Sequence, residues 1–274
     1  MVYINADLHI HSRFSDGSLK IEEIFQLAKR LKIQCISITD HDTVKHIPPS
    51  LLQADILGIE FIPGIEITAT QYGKDIHILA YFIDPFNSQL NEKMDAMRDL
   101  RIQRMERMLA NLASMGLPVD ANRFFQCVGE GTVGRLQLSD YLCSTGIAKN
   151  TQESFDRFIG TESQAYVEIQ GLSPEEAIQL IHSAKGLSVL AHPGTTDVDQ
   201  FIPNFVELGM DGIEVYHSSH TPDQIQKYEQ VATRHGLLKT GGSDCHGRNR
   251  KKLLLGQYGI NYSLVESMKS VCVN

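Results

Sequence analysis

The chain's 274 residues can bury a substantial core and suit one large α/β barrel, alone or with an inserted subdomain, better than two independent domains. A hydrophobic fraction of 42% with 21% charged residues and no low-complexity tract excludes a disordered chain, and no apolar run approaches the roughly 20 residues a bilayer span needs. The formal net charge of -8 excludes general DNA binding, so any nucleic acid or nucleotide phosphate must be held locally by metal ions or a few basic side chains.

Short apolar runs alternate with helix-like stretches, the rhythm of βα units around a parallel sheet. The first run is 2–8. Ile21, Ile24, Leu27, Ala28 and Leu31 then recur at helical spacing, and 34–39 is the second strand. A weaker segment interrupted by Pro48 and Pro49 precedes runs at 60–67 and 76–83. From 85 to 166 the pattern turns helical, led by a long Met-rich stretch that Gly116 and Pro118 end, with further helices at 135–143 and 153–159. Residues 85–166 therefore read as an inserted helical subdomain in a barrel built from 1–84 and 167–274. Ser173, Pro174 and Glu176 open the next helix as a capping box. Strands follow at 187–191, 212–216 and 238–241, with a helix at 222–235 and a closing helix from Ser263. Five widely spaced cysteines and an N-terminus without a basic or apolar signal stretch point to a reducing cytoplasm.

In a βα barrel, chemistry collects where strands give way to loops at the carboxyl rim. His9 and His11 follow strand one with Asp16 beyond them, Asp40 and His41 close strand two, and Glu66 lies near the end of strand three. His77 is in strand four, His192 and His217 follow the next two, and Asp244 and His246 follow the last. Of eleven histidines, only His46, His182, His220 and His235 fall elsewhere. Residues two apart in extended chain share a face, so His9 with His11, and Asp244 with His246, can each grip one ion. Imidazole and carboxylate suit Zn2+, Mn2+ and Fe2+, and this set is too large for one tetrahedral ion, so two or three divalent metal ions are expected.

These residues resemble the polymerase and histidinol phosphatase (PHP) metallohydrolases in four motifs: Asp7-Leu8-His9-Ile10-His11 with Ser15-Asp16-Gly17, Ile38-Thr39-Asp40-His41-Asp42, Pro63-Gly64-Ile65-Glu66, and Gly242-Ser243-Asp244-Cys245-His246-Gly247. Ala191-His192-Pro193-Gly194, Glu214-Val215-Tyr216 and Gly134-Arg135 are similar to the bacterial members acting as 3′,5′-nucleotide bisphosphatases and 5′ to 3′ exoribonucleases. The resemblance implies a distorted (β/α)7 barrel with three metals: His9, His11 and Asp244 on one, Asp16, His41 and His246 on a second, His77 and His192 on a third, and Glu66 bridging the first pair. Such proteins often carry a proline and a histidine after Gly134-Arg135, where this chain has Leu136 and Gln137, and a lysine common near Glu168 is missing. Those departures bear on the substrate and not on the metal centre.

Phosphate ester hydrolysis needs a nucleophilic oxygen at neutral pH, which water shared by two cations and Glu66 would supply, with its pKa lowered to about 7. The third ion would orient the ester for in-line attack. Arg135 is the candidate phosphate clamp, its alternative an ordinary surface arginine. His217 is a candidate for leaving-group protonation and His220 for phosphate contact, each set against a packed or solvent-facing loop histidine. Asp40 is expected to fix the His41 ring, Cys245 to point away from the site, and the run Arg248, Arg250, Lys251, Lys252 to be a solvated loop or a greeting for phosphate. The leading substrate is the 3′-phosphate of a nucleoside 3′,5′-bisphosphate. Alternatives are short 5′-phosphorylated RNA and a small metabolite of the histidinol phosphate type. A catalytically silent scaffold would lack ligands, and the full set is present.

Overall fold

The computed structural model describes residues 4–129, 131–169, 171–247 and 253–272. They form two compact units, Met1–Met94 with Leu172–Asn274, and Asp95–Gly171.

The first unit is an α/β fold with mixed sheets and flanking helices. β1 (Ala6–Ile10), β2 (Cys35–Ile38) and β3 (Glu60–Phe61) form a parallel three-stranded sheet. α1 (Ile21–Arg30) buries Ile21, Ile24, Phe25 and Ala28, and carries Glu22 and Glu23 in its first turn and Lys29 and Arg30 in its last, each sign opposite to the helix-end charge it meets. α2 (Ile47–Leu57) takes the segment that its prolines made look weak. Pro48 and Pro49 lie in the first turn, where the missing N–H groups have no intrahelical acceptor to lose.

β4 (Gly64–Gln71), β5 (Lys74–Tyr81), β6 (Leu187–Leu190), β7 (Gly212–His217) and β8 (Leu238–Gly242) form the second sheet in that order. Here the expected all-parallel arrangement is corrected: β4 with β5 and β5 with β6 run antiparallel, and only β6, β7 and β8 are parallel. The run at 60–67 divides between β3 and β4, and the chain then reverses through Tyr72-Gly73, both left-handed at φ 51° and 73°, the two-residue turn whose twist matches a hairpin. Isolated bridges Ile10 to Cys245 and His41 to Glu66 join the sheets, and neither sheet closes on itself among the described residues. Leu8, Ile62, Leu79, Tyr81, Val189 and Ala191 pack together as a core, where the Tyr81 hydroxyl donates to the Leu8 carbonyl (2.9 Å).

α7 (Pro174–Ser183) starts with the expected capping box: Ser173 Oγ accepts from Glu176 N–H, and the Glu176 carboxylate accepts from Ser173 N–H. α8 (Ile202–Glu207), α9 (Pro222–His235) and α10 (Tyr262–Cys272) complete this unit. The second unit holds most of the long α3 (Ser88–Ser114), with α4 (Ala121–Val128), α5 (Arg135–Ser144) and α6 (Thr151–Ser154), the last continued by a π-helical turn. Met105, Met108, Leu112, Phe124, Leu138 and Ile159 are among its core residues. Among the described residues, no helix is long and apolar enough to cross a membrane.

His182, at the end of α7, contacts Asp211 before β7 (Nε2 to Oδ2, 2.9 Å), and that carboxylate also accepts from Ser188 N–H (2.8 Å). The bond to Asp211 raises the His182 pKa above its usual 6.5 against the opposing effect of burial, and Asp211 is lowered because its bonds to His182 and Ser188 outweigh burial. A raised histidine stabilises fully below its unfolded pKa and loses that contribution as pH climbs through the folded value. A lowered aspartate does so above its unfolded pKa and loses it as pH falls. His182→Gln should therefore destabilise most between about pH 4 and 6.5. The effect, reduced by solvent at this half-exposed pair, should be about 0.5–1 kcal/mol and shrink by pH 8.5. Melting curves of both proteins at pH 5.5 and 8.5 check this; an equal difference at both would refute the pairing.

Candidate metal centre

Every strand of the first unit except the short β3 brings a candidate ligand to one rim. His9 and His11 come from β1 and its end, His41 follows β2, and Glu66 and His77 project from β4 and β5. His192 follows β6, His217 ends β7, and Asp244 and His246 follow β8. β8 can lie close to β1 because residue 242 is glycine; a Cβ there would stand 2.4 Å from His9 N and Cβ. Asp244 and His192 have left-handed backbones (φ 51° and 27°), a strain that single non-glycine residues carry where side chains must be aimed. Asp244 and His246 thus reach the same centre by a kink rather than by strand alternation, and Cys245 between them is buried and accepts from Gly247 N–H (3.4 Å).

Glu66, 1% exposed, sits in the middle. Its Oε1 is 2.9 Å from His77 Nδ1 and 3.0 Å from His192 Nε2; its Oε2 is 3.1 Å from His41 Nδ1, 3.3 Å from His11 Nε2 and 3.4 Å from His9 Nε2. Asp244 Oδ1 approaches His11 Nε2 (3.1 Å) and His9 Nε2 (3.6 Å). Asp16 Oδ2 approaches His246 Nε2 (3.2 Å) and His41 Nε2 (3.8 Å). Ligand atoms converge in overlapping groups: His11, Asp16, His41 and His246; His9, His11 and Asp244; His9, Glu66 and His192; His41, Glu66 and His77; and His9, Glu214 and His217. All nine residues expected to bind metal fall in these groups, and Glu66 faces ligands of every expected ion rather than of one pair.

Burial alone would raise the carboxyls of Glu66, Asp16 and Asp244, but nearby imidazoles, chiefly His41 and His77 at Glu66 and His246 at the other two, hold all three well below the usual range. Burial pushes His41 and His192 down, whereas against burial Glu214, Glu66 and Asp244 raise His9, and Asp244, Glu66 and Asp16 raise His11 to about 10, so an incoming cation would have to displace protons from those two rings. Ionised carboxylates and neutral imidazoles are what divalent cations take. His41 Nδ1 and Glu66 Oε2 are buried without a hydrogen-bond partner, and His9 Nε2 lies 3.2 Å from His11 Nε2, two ring nitrogens aimed at the same space. The donor set fits multiple metal ions.

Glu214, inside β7, figures in the sequence only within the family-like Glu214-Val215-Tyr216 stretch and not as a site residue. Its Oε1 binds His9 Nδ1 (3.0 Å) and its Oε2 accepts from His192 N–H (2.8 Å), so it turns His9 Nε2 toward the centre and fixes the start of the His192 turn. The imidazoles His9 and His217 bring Glu214 down to about 2 against the opposing effect of burial. The expected Asp40 to His41 link is corrected: Asp40 accepts from Ser12 N–H (2.7 Å) and Ser15 Oγ (2.6 Å) and faces His46 Nδ1 (3.3 Å), bracing the turn that carries Asp16. His46 donates through Nε2 to the carbonyls of Ile38 (2.9 Å) and Gly64 (3.1 Å).

His217 is buried with Nδ1 accepting from Ser219 N–H (3.1 Å), so its ring proton is on Nε2, which lies 3.5 Å from Asp244 Oδ2. His220 is corrected as a phosphate contact. Its Nδ1 donates to the Val215 carbonyl (2.9 Å) and its Nε2 accepts from Gly194 N–H (3.2 Å), so both nitrogens hold the turn after His192 to β7. Arg135 opens α5 in the second unit, its guanidinium over the rings of Tyr166 (5.4 Å) and Phe155 (5.7 Å). The basic run at 248–252 lies outside the described residues.

The PHP domain family model matches residues 7–236. The chain is 30% identical to the 3′,5′-nucleoside bisphosphate phosphatase of Chromobacterium violaceum over 98% of its own length and 94% of that protein. It is also 30% identical to a 5′-3′ exoribonuclease of Haemophilus influenzae, over 88% of this chain and 89% of that one. Among solved structures, a proposed metal-dependent phosphoesterase of Bifidobacterium adolescentis superposes with TM-score 0.89 at 28% identity, covering 97% of this chain and 95% of that one. A Chromobacterium violaceum amidohydrolase structure with bound sulfate and no metal gives TM-score 0.88 at 28% identity over 97% and 96%.

Proposed function

The chain belongs to the PHP-domain family and is a metal-dependent phosphoric ester hydrolase, and from that premise we propose that it removes the 3′-phosphate of nucleoside 3′,5′-bisphosphates. The observation carrying the chemistry is the convergence of ionised carboxylates and imidazole nitrogens around buried Glu66. The substrate class draws on the bisphosphate phosphatase relative, which aligns over nearly the whole chain.

In this reading 1–84 and 167–274 form a distorted (β/α)7 barrel that carries the centre, with 85–166 as its helical insert. His9, His11 and Asp244 would hold one divalent ion, Asp16, His41 and His246 a second, and His77 with His192 a third, with Glu66 shared among them; Mn2+, Fe2+ and Zn2+ all suit such ligands. When bound, these ions supply Lewis acidity, which activates water and neutralises charge on the phosphoryl oxygens. Glu214 keeps His9 in the tautomer that presents Nε2. His217 offers its Nε2 proton to the leaving oxygen. A second reading, 5′ to 3′ trimming of short 5′-phosphorylated RNA, is favoured by the exoribonuclease relative.

The test is metal content together with turnover of adenosine 3′,5′-bisphosphate, a 5′-phosphorylated trinucleotide and histidinol phosphate. At least two ions per chain are expected, and kcat/KM for the bisphosphate should exceed that for histidinol phosphate by about tenfold or more, since the nucleoside adds binding the smaller ester cannot make. Equal or better use of histidinol phosphate sinks the nucleotide reading, and tight metal without turnover of any ester sinks the enzyme.

A further inference from the structure

The β4–β5 hairpin extends past the metal centre. His77 pairs across it with Thr68, and the strands continue to Gln71 and Lys74 before Tyr72-Gly73 reverse the chain. Tyr72 is 77% exposed and sits at the first turn position with φ 51°, where Asn, Asp or Gly is ordinarily found. A bulky side chain in a left-handed turn with its ring in water does nothing for the core.

The ring nevertheless has a fixed partner. Tyr72 stacks on Phe201 from the turn before α8, with ring centroids 5.2 Å apart and planes 29° apart, and Phe201 is backed by the buried Phe205 (6.4 Å). Lys74 clamps the hairpin to the same loop, bonding both the carbonyl and the carboxylate of Asp197 (2.8 Å each). That loop begins at His192, a candidate ligand. The aromatic pair is therefore a rigid, solvent-facing surface tied to the wall of the metal centre.

Four residues lie between Tyr72 and His77: the strand from Lys74 to His77 covers about 10 Å at the usual rise, and the turn sets Tyr72 beyond its end. That is farther than a nucleoside's base reaches from its own phosphate, yet within reach of the next bases in a short chain. We propose that Tyr72 and Phe201 form a stacking platform for a downstream base of a short RNA whose terminal nucleotide occupies the metal centre. Stacking on an aromatic face tolerates any base, as sequence-independent trimming requires. The proposal rests on the nucleotide reading of the centre and selects the oligonucleotide as a substrate.

The experiment compares wild type, Tyr72→Ala, Tyr72→Phe and Phe201→Ala on adenosine 3′,5′-bisphosphate and on a 5′-phosphorylated pentaribonucleotide carrying 2-aminopurine at its third base. Tyr72→Ala should raise KM for the pentanucleotide about tenfold and abolish quenching of 2-aminopurine. Turnover of the bisphosphate should be unchanged by it, and Tyr72→Phe should restore both oligonucleotide readouts. Equal KM for wild type and Tyr72→Ala, or equal damage to both substrates, overturns the platform. A wild type that hydrolyses the bisphosphate but neither binds nor cleaves the pentanucleotide also overturns it and leaves the nucleotide reading standing. Tyr72-dependent quenching without hydrolysis of either nucleotide supports the platform and overturns that reading.

Discussion

Glu66→Gln is expected to lower turnover on the order of 10³-fold and to strip most of the bound metal. The substitution keeps the side chain's volume in a site that is 1% exposed, so packing is preserved and the charge alone is removed. That charge faces five imidazoles, with His77 and His192 on one oxygen and His41, His11 and His9 on the other. An amide offers one acceptor and points an NH2 group at the remaining rings, which is repulsive toward a cation. The loss should resemble removal of several kcal/mol of Lewis-acid stabilisation, each 1.36 kcal/mol being tenfold in rate. Elemental analysis and kinetics on the folded variant check it. A Glu66→Gln protein with full metal content and activity within tenfold of wild type would remove Glu66 from the centre.

Much of this site could be read from sequence because strand periodicity and strand ends are local properties. His9 and His11 lie two apart at the end of an apolar run, and His41, His192 and His217 each sit where such a run stops. Glu214 escaped because a lone carboxylate inside a strand looks like an ordinary solvent-facing position until the partner across the fold, His9, is known. Roles that depend on which ring nitrogen is taken were equally hidden: the backbone ties of His220 and the preference of Asp40 for Ser12, Ser15 and His46 are long-range facts. In the fold, the strands were placed nearly where they lie, but their directions were not. Tyr-Gly carries a weaker hairpin signal than Asn-Gly, so β5 was read as one more parallel strand. α2 was obscured by two prolines that disrupt a helix interior but suit a first turn.

The proton on His217 leads to the second large effect, which depends on the ester. With Nδ1 occupied as an acceptor from Ser219 N–H, the buried ring presents an N–H at Nε2, 3.5 Å from Asp244 Oδ2 and beside the ligand groups. A ring in that tautomer is a poor ligand through Nε2 but is suited to give a proton to a departing ribose oxygen. Such an alkoxide is a poor leaving group unless protonated, whereas p-nitrophenolate leaves without help. His217→Asn should therefore slow hydrolysis of adenosine 3′,5′-bisphosphate by about 10²- to 10³-fold, the usual worth of a positioned acid. On p-nitrophenyl phosphate it should stay within a few-fold of wild type, with metal content unaltered. A plain ligand would behave differently, because its loss lowers both reactions together and releases metal. Equal losses on the two esters would therefore reassign His217 to the metals, and no loss on either would leave it a packing residue at the end of β7.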